Sequence, residues 1–170
     1  WIKKSSDTFL KELVSAEWTH IYNEIEKGHQ VFIVTPAVQE KAKSASVERT
    51  AKILTRKFPS LKIEYVHGGL DKNQQNKKIE EFRDRKSDVL IASSIIEVGI
   101  DIPNATVMLV LDAHRFGASS LHQIRGRVGR GKDQGYCYLV SEADSENATR
   151  RLQSLVDSND GFDIAMVDLG

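Results

Sequence analysis

Gln30-Val-Phe-Ile-Val-Thr35 is a β-branched and aromatic run stopped by Pro36. A strand with one wet face alternates apolar and polar residues; an unbroken apolar run has to be covered on both faces. Leu61 to Val66, Asp88 to Ser93, Val107 to Asp112 and Gly135 to Ser141 repeat the signal, each bounded by Gly, Pro, Asn or Asp. Helical patterns fall between and before them. Leu10, Val14, Trp18, Ile21 and Ile25 recur at a helical period, with Ser5, Ser6 and Asp7 as capping residues and Gly28 as the stop, which predicts one helix. A second helix is predicted through Ala51, Leu54 and Phe58, and a third, highly charged one over Lys72 to Arg85, burying little beyond Ile79 and Phe82. Alternating strands and helices of this kind predict an α/β fold of three layers around a central, mostly parallel sheet.

The length of 170 residues and a hydrophobic content of 40% allow one domain with a real core. Residues 1–141 are read as that domain and 142–170 as the truncated start of an appended helix and turn. Lys plus Arg and Asp plus Glu number 24 each, so no global charge points to a polyanion, and any basic surface has to be local. Cys137, the only cysteine, lies in the last apolar run and is predicted as a buried strand thiol; one cysteine permits no internal disulfide. The five histidines show no close pairing, and no metal site is expected. No stretch approaches the roughly 20 apolar residues that span a bilayer, and the expectation is a cytoplasmic protein without a membrane partner.

A parallel sheet carries its working loops at the carboxyl ends of the strands, which directs attention to the segments after Thr35, Val66, Ser93 and Asp112. From His114 to Lys132 there are four arginines and one lysine and no acid. On a helix beginning near Ser119 or Ser120, Gln123, Arg127 and Arg130 fall at i, i+4 and i+7 on one face, and Leu121, Ile124 and Val128 share the opposite one. Guanidinium groups presented together suit phosphate oxygens, each offering a planar fork of donors. The segment Ile96-Glu-Val-Gly99-Ile-Asp101-Ile-Pro-Asn104 holds an ionised Asp101 between two isoleucines. Such a carboxylate needs a partner: a sugar hydroxyl, an arginine or backbone donors. Ser93 and Ser94 at a strand end, and the His67-Gly68-Gly69 turn, offer hydroxyls and open backbone of the kind that contacts nucleic-acid phosphate.

Gly126, four residues, then Gly131-Lys132 imitates a phosphate loop. The required Ser or Thr is Asp133, which repels phosphate and has no hydroxyl for magnesium, and the order of elements is reversed, helix into strand rather than strand into helix. No other match exists in the sequence. A nucleotide and its magnesium therefore could not be held by this chain alone.

Taken in order, His67-Gly68, the Ile-Glu-Val-Gly-Ile-Asp-Ile-Pro-Asn segment and Gln123-Ile-Arg-Gly126-Arg127-Val-Gly129-Arg130 resemble the motifs of the second RecA-like motor lobe in superfamily 2 helicases. The stretch Arg115-Phe-Gly-Ala-Ser-Ser-Leu-His-Gln-Ile-Arg-Gly-Arg-Val-Gly-Arg130 is similar to the form shared by the RecG and Mfd families, and Val98 with Asp157-Ser-Asn-Asp-Gly-Phe162 favours RecG.

The resemblance implies a RecA-like fold and a division of labour. ATP and Mg2+ would sit mainly on a first lobe of the same polypeptide, which carries the Walker A and B motifs missing here. Arg127 and Arg130 would reach the γ-phosphate, Arg130 as the arginine finger, with Gln123 ordering phosphate or water. Gly99 and Asp101 would face the ribose and the lobe interface. His67, Gly68, Ser93 and Ser94 would grip the backbone of DNA, a branched or forked duplex, and the protein would work at the bacterial nucleoid. Two other readings stand beside this one: a stand-alone nucleotide-binding enzyme, which lacks its fingerprint here, and a noncatalytic phosphate or nucleic-acid binding module, which leaves Asp101 unexplained.

Overall fold

The computed structural model describes residues 2, 6–12, 15–35, 47–66, 72–93, 105–113, 136–141 and 146–157. Helices α1 (Ser6–Lys11) and α2 (Ala16–Glu26) precede strand β1 (Gln30–Thr35). Then follow α3 (Val47–Lys57), β2 (Ile63–Val66), α4 (Lys72–Arg83), β3 (Val89–Ser93), β4 (Ala105–Leu111), β5 (Tyr136–Val140) and α5 (Glu146–Asp157). The five strands form one sheet in the order β2-β3-β1-β4-β5, and every pairing is parallel.

The strands sort their side chains by parity, and this builds the layers. Val31, Ile33, Val89, Ile91, Val107, Leu109 and Leu111 pack with Phe9 and Leu10 of α1, Trp18 and Ile21 of α2, and Ala51 and Leu54 of α3. Their neighbours Phe32, Val34, Leu90, Ala92, Met108 and Val110 face the other way, toward Ile79 and Phe82 of α4 and Leu152 of α5. All six residues of β1 and all seven of β4 are buried, as unbroken apolar runs require. Helix α5 lies beyond the division expected at Ser141, and its Leu152 is fully buried in the core of this same sheet.

Three local expectations are corrected. The single helix predicted up to Gly28 is two. Ser15 takes an extended backbone and its hydroxyl accepts from the Trp18 N–H, starting a new helix there, because a capped amino terminus satisfies a donor that a straight helix would leave to the previous turn. Gly28 does end α2, at φ 92°, with open space where a Cβ would stand. Cys137 is partly rather than fully buried, since β5 is an outer strand and the residue packs only at the margin of the α4–α5 face. The strands β2 and β4 also shift by two residues from their expected starts, to Ile63 and Ala105. Before β2, Lys62 is engaged by its backbone instead, exchanging bonds with Asp88.

Both margins of the sheet are occupied. Ile2 forms a parallel bridge on the free side of β5, donating to Leu139 O at 2.7 Å and accepting from Ser141 N at 3.0 Å. On β2, the Lys78 ammonium of α4 donates to Tyr65 O at 3.0 Å, lies 4.7 Å from the Tyr65 ring and pairs with Glu64 at 3.7 Å. A lysine closing an outer strand limits its use as a template for further pairing.

Candidate functional site

Because all pairings are parallel, one edge of the sheet collects every carboxyl end. The register shows how level that edge is: Thr35 pairs with Ser93, Val66 with Ala92, Val34 with Val110 and Leu111 with Val140. Chain segments 67–71, 94–104 and 114–135 leave from this edge at the ends of β2, β3 and just past β4. Those are the segments that carry the three sequence motifs.

Of the residues singled out from sequence, Ser93 is placed, as the last residue of β3 opposite Thr35 of the central strand. His67, Gly68, Ser94, Gly99, Asp101, Gln123, Arg127 and Arg130 lie outside the described residues. The sheet thus brings together the points from which their segments depart.

Two residues at this edge were not foreseen. Thr35 is fully buried at the end of β1, and its hydroxyl finds no hydrogen-bond partner among the described residues. Asp112, directly after β4, has φ 50°, a left-handed backbone that a non-glycine residue adopts infrequently. The only sequence signal for Asp112 is its residue type, since aspartate tolerates that region better than most. Thr35 reads in sequence as one more β-branched strand residue.

The opposite, amino edge is held by polar contacts that need no ligand. Glu24, near the end of α2, is buried, and accepts from the Thr106 hydroxyl at 2.7 Å and from Lys27 at 3.2 Å, with His29 at 3.4 Å. Burial pushes the Glu24 carboxyl up, but the Thr106 hydroxyl and the Lys27 ammonium outweigh it and hold the group below its ordinary range. Gln30 is likewise buried and its amide donates to Phe82 O and Ser87 O at 2.6 and 2.8 Å. Charge and hydrogen bonding here fasten α2, β1, β4 and the end of α4 to each other. Among the described residues no three His, Cys, Asp or Glu side chains gather as a metal site would need, and no helix is long and apolar enough to cross a membrane.

Comparison with known proteins places this arrangement. The profile of the helicase conserved C-terminal domain matches residues 9–132. The ATP-dependent DNA helicase RecG of Synechocystis sp. is 42% identical over 152 residues, which cover 88% of this chain and 18% of that protein. The ATP-dependent DNA helicase homolog RECG1, chloroplastic/mitochondrial, of Arabidopsis thaliana is 34% identical over 173 aligned residues, covering 99% of this chain and 17% of that protein. Among solved structures, RecG bound to a three-way DNA junction matches with a TM-score of 0.76 and 37% identity over 90% of this chain and 20% of that one. The chain spans about a fifth of the length of these relatives.

Proposed function

Because the chain belongs to the helicase conserved C-terminal domain family, we propose that it is the second motor lobe of an ATP-dependent DNA translocase of the RecG type. The observation that carries this reading is the common edge: a wholly parallel sheet sends all three motif-bearing segments out from the carboxyl ends of its strands, where α/β sheets take their ligands. Similarity to RecG proteins over most of the chain supports the same assignment.

In this reading Arg127 and Arg130 reach the γ-phosphate of an ATP held by the first lobe of the same polypeptide, and Gln123 orders phosphate or water. Gly99 and Asp101 face the ribose and the lobe interface. Ser93, Ser94 and the His67-Gly68 turn hold the DNA backbone of a branched or forked duplex. Magnesium arrives with the nucleotide on the first lobe, and this chain contributes charge and orientation. Loss of the γ-phosphate releases the arginines and opens the cleft, so that the lobes step along DNA. The segment from Glu142 leads into the part of the protein that couples the motor to branch migration, with α5 itself packed on this lobe through Leu152, and the protein acts in the cytoplasm on the nucleoid.

The test is turnover by the full-length protein with Arg130→Ala. DNA-stimulated ATP hydrolysis is expected to fall by about 10³ to 10⁵ with nucleotide binding largely kept, the signature of an arginine finger. A variant that loses DNA affinity and keeps turnover would instead make this a binding module. The isolated chain is expected to hydrolyse little ATP until a first lobe is supplied; vigorous hydrolysis by the chain alone would overturn the division of labour.

A further inference from the structure

Among the described residues, Arg85 and Asp112 are the non-glycine positions with positive φ, at 63° and 50°. Arg85 is an exposed turn residue after α4, where its N–H returns to Phe82 O and closes the helix. Asp112 has no helix to close. It stands at the carboxyl edge, between the end of a fully buried strand and the arginine-bearing segment.

What its left-handed backbone does is visible in its two neighbours. Along an extended chain, residues two apart share a face, so Ala113 should follow Leu109 and Leu111 toward α1, α2 and α3. It does the opposite. Leu111 is buried in the α1–α3 core, and Ala113, also fully buried, belongs to the α4–α5 core. The chain turns at Asp112 and Ala113, with Asp112 the left-handed residue of the turn, and the buried side chains on either side of it, Leu111 and Ala113, lie on opposite faces of the sheet.

We infer that Asp112 is a positioning residue for the arginine segment: its backbone fixes the direction in which the chain leaves β4 toward Gln123, Arg127 and Arg130. The inference rests on the reading that those arginines act on bound nucleotide. Aspartate, asparagine and glycine reach the left-handed region at small cost, whereas a β-branched residue is strongly disfavoured there. The requirement proposed is conformational, and asparagine and glycine meet it as aspartate does.

The experiment compares Asp112→Asn, Asp112→Gly and Asp112→Val in the full-length protein, by DNA-stimulated ATP turnover and thermal melting. Asn and Gly should keep most of the turnover. Val should lower kcat, by up to about 10²-fold if the arginines move by about 1 Å, with the KM for ATP little changed because the first lobe holds the nucleotide. In an Arg130→Ala background, Asp112→Val should cost little more, since both changes remove the same contribution. A loss from simple instability would instead track the melting temperature and add to the Arg130→Ala defect, which would overturn the inference. So would full turnover in Asp112→Val, or an equal loss in all three variants. If Arg130→Ala itself retains wild-type turnover, the arginine-finger reading falls and takes this inference with it; an inactive Arg130→Ala beside a fully active Asp112→Val removes this inference alone.

Discussion

The Trp18 indole N–H donates to the Phe9 carbonyl at 2.8 Å, and the two rings stack with centroids 4.7 Å apart and planes 18° from parallel. A six-residue helix such as α1 is too short to persist by itself, so it depends on tertiary contacts, of which this one and the burial of Phe9 and Leu10 are the apolar part. Phe9→Ala is expected to cost about 3–5 kcal/mol of unfolding free energy and to release the amides of residues 6–12 to fast hydrogen exchange. Denaturant titration with amide exchange checks both; an unchanged exchange pattern would mean that α1 is held by something other than Phe9.

Glu24 predicts how the fold responds to acid. Its carboxyl is held below its ordinary value although burial opposes this, because Thr106 and Lys27 bond to the charged form. A depressed folded pKa means that the stabilisation is fully present above the unfolded value, near 4.5, and is lost as pH falls through the folded one. Glu24→Gln should therefore flatten the loss of stability below that pH relative to wild type. Thr106→Val removes the hydroxyl donor and should cost about 2 kcal/mol at neutral pH, a hydrogen bond to a charged group being at stake. Urea midpoints across the acid range decide it, and parallel curves for wild type and Glu24→Gln would rule the idea out.

Thr35 and Thr50 invert the Thr106 case. Both are fully buried, and neither hydroxyl has a hydrogen-bond partner among the described residues. A buried hydroxyl without a partner has lost its water for no return, so replacing it by a methyl group should be neutral or stabilising. Thr35→Val and Thr50→Val are expected to leave the melting temperature unchanged or raise it, against the clear loss from Thr106→Val. A marked drop in either would point to a partner, such as ordered water, that these hydroxyls acquire in solution.

The layers were legible because their cause is local. Gln30 to Thr35 and Val107 to Asp112 read as strands buried on both faces; the strands are Gln30–Thr35 and Ala105–Leu111, every residue of them buried, and Asp112 falls in the turn that follows. The break between α1 and α2 was hidden because the spacing Leu10, Val14, Trp18 continues the helical period across it. Only the cap at Ser15 and the tertiary bond from Trp18 to Phe9 disclose two helices. The departure of the motif segments from one edge was legible from the alternation of strands and helices, whereas the left-handed turn at Asp112 was not. That turn answers to where Ala113 finds a core, which is a tertiary fact.

Lys57 gives the last prediction, at the alkaline end. Its ammonium donates to the carbonyls of Glu12 and Leu10, at 3.4 Å for Leu10, and lies 3.8 Å from the centroid of the Trp18 ring, so α3 is fastened to the end of α1. Burial pushes this group from 10.5 down to about 8, with the Glu12 carboxylate pulling weakly the other way. Between those values the unfolded chain binds the proton more tightly than the folded one, so folding stability rises with pH across the interval. The difference in unfolding free energy between wild type and Lys57→Met should accordingly shift in favour of wild type from about pH 8 to 10.5. Taking the difference cancels the alkaline titration common to both proteins. A difference that stays level, or moves toward Lys57→Met, would mean that the carbonyls and the indole face hold the ammonium charged well above pH 8, leaving the fastening equally strong across the range.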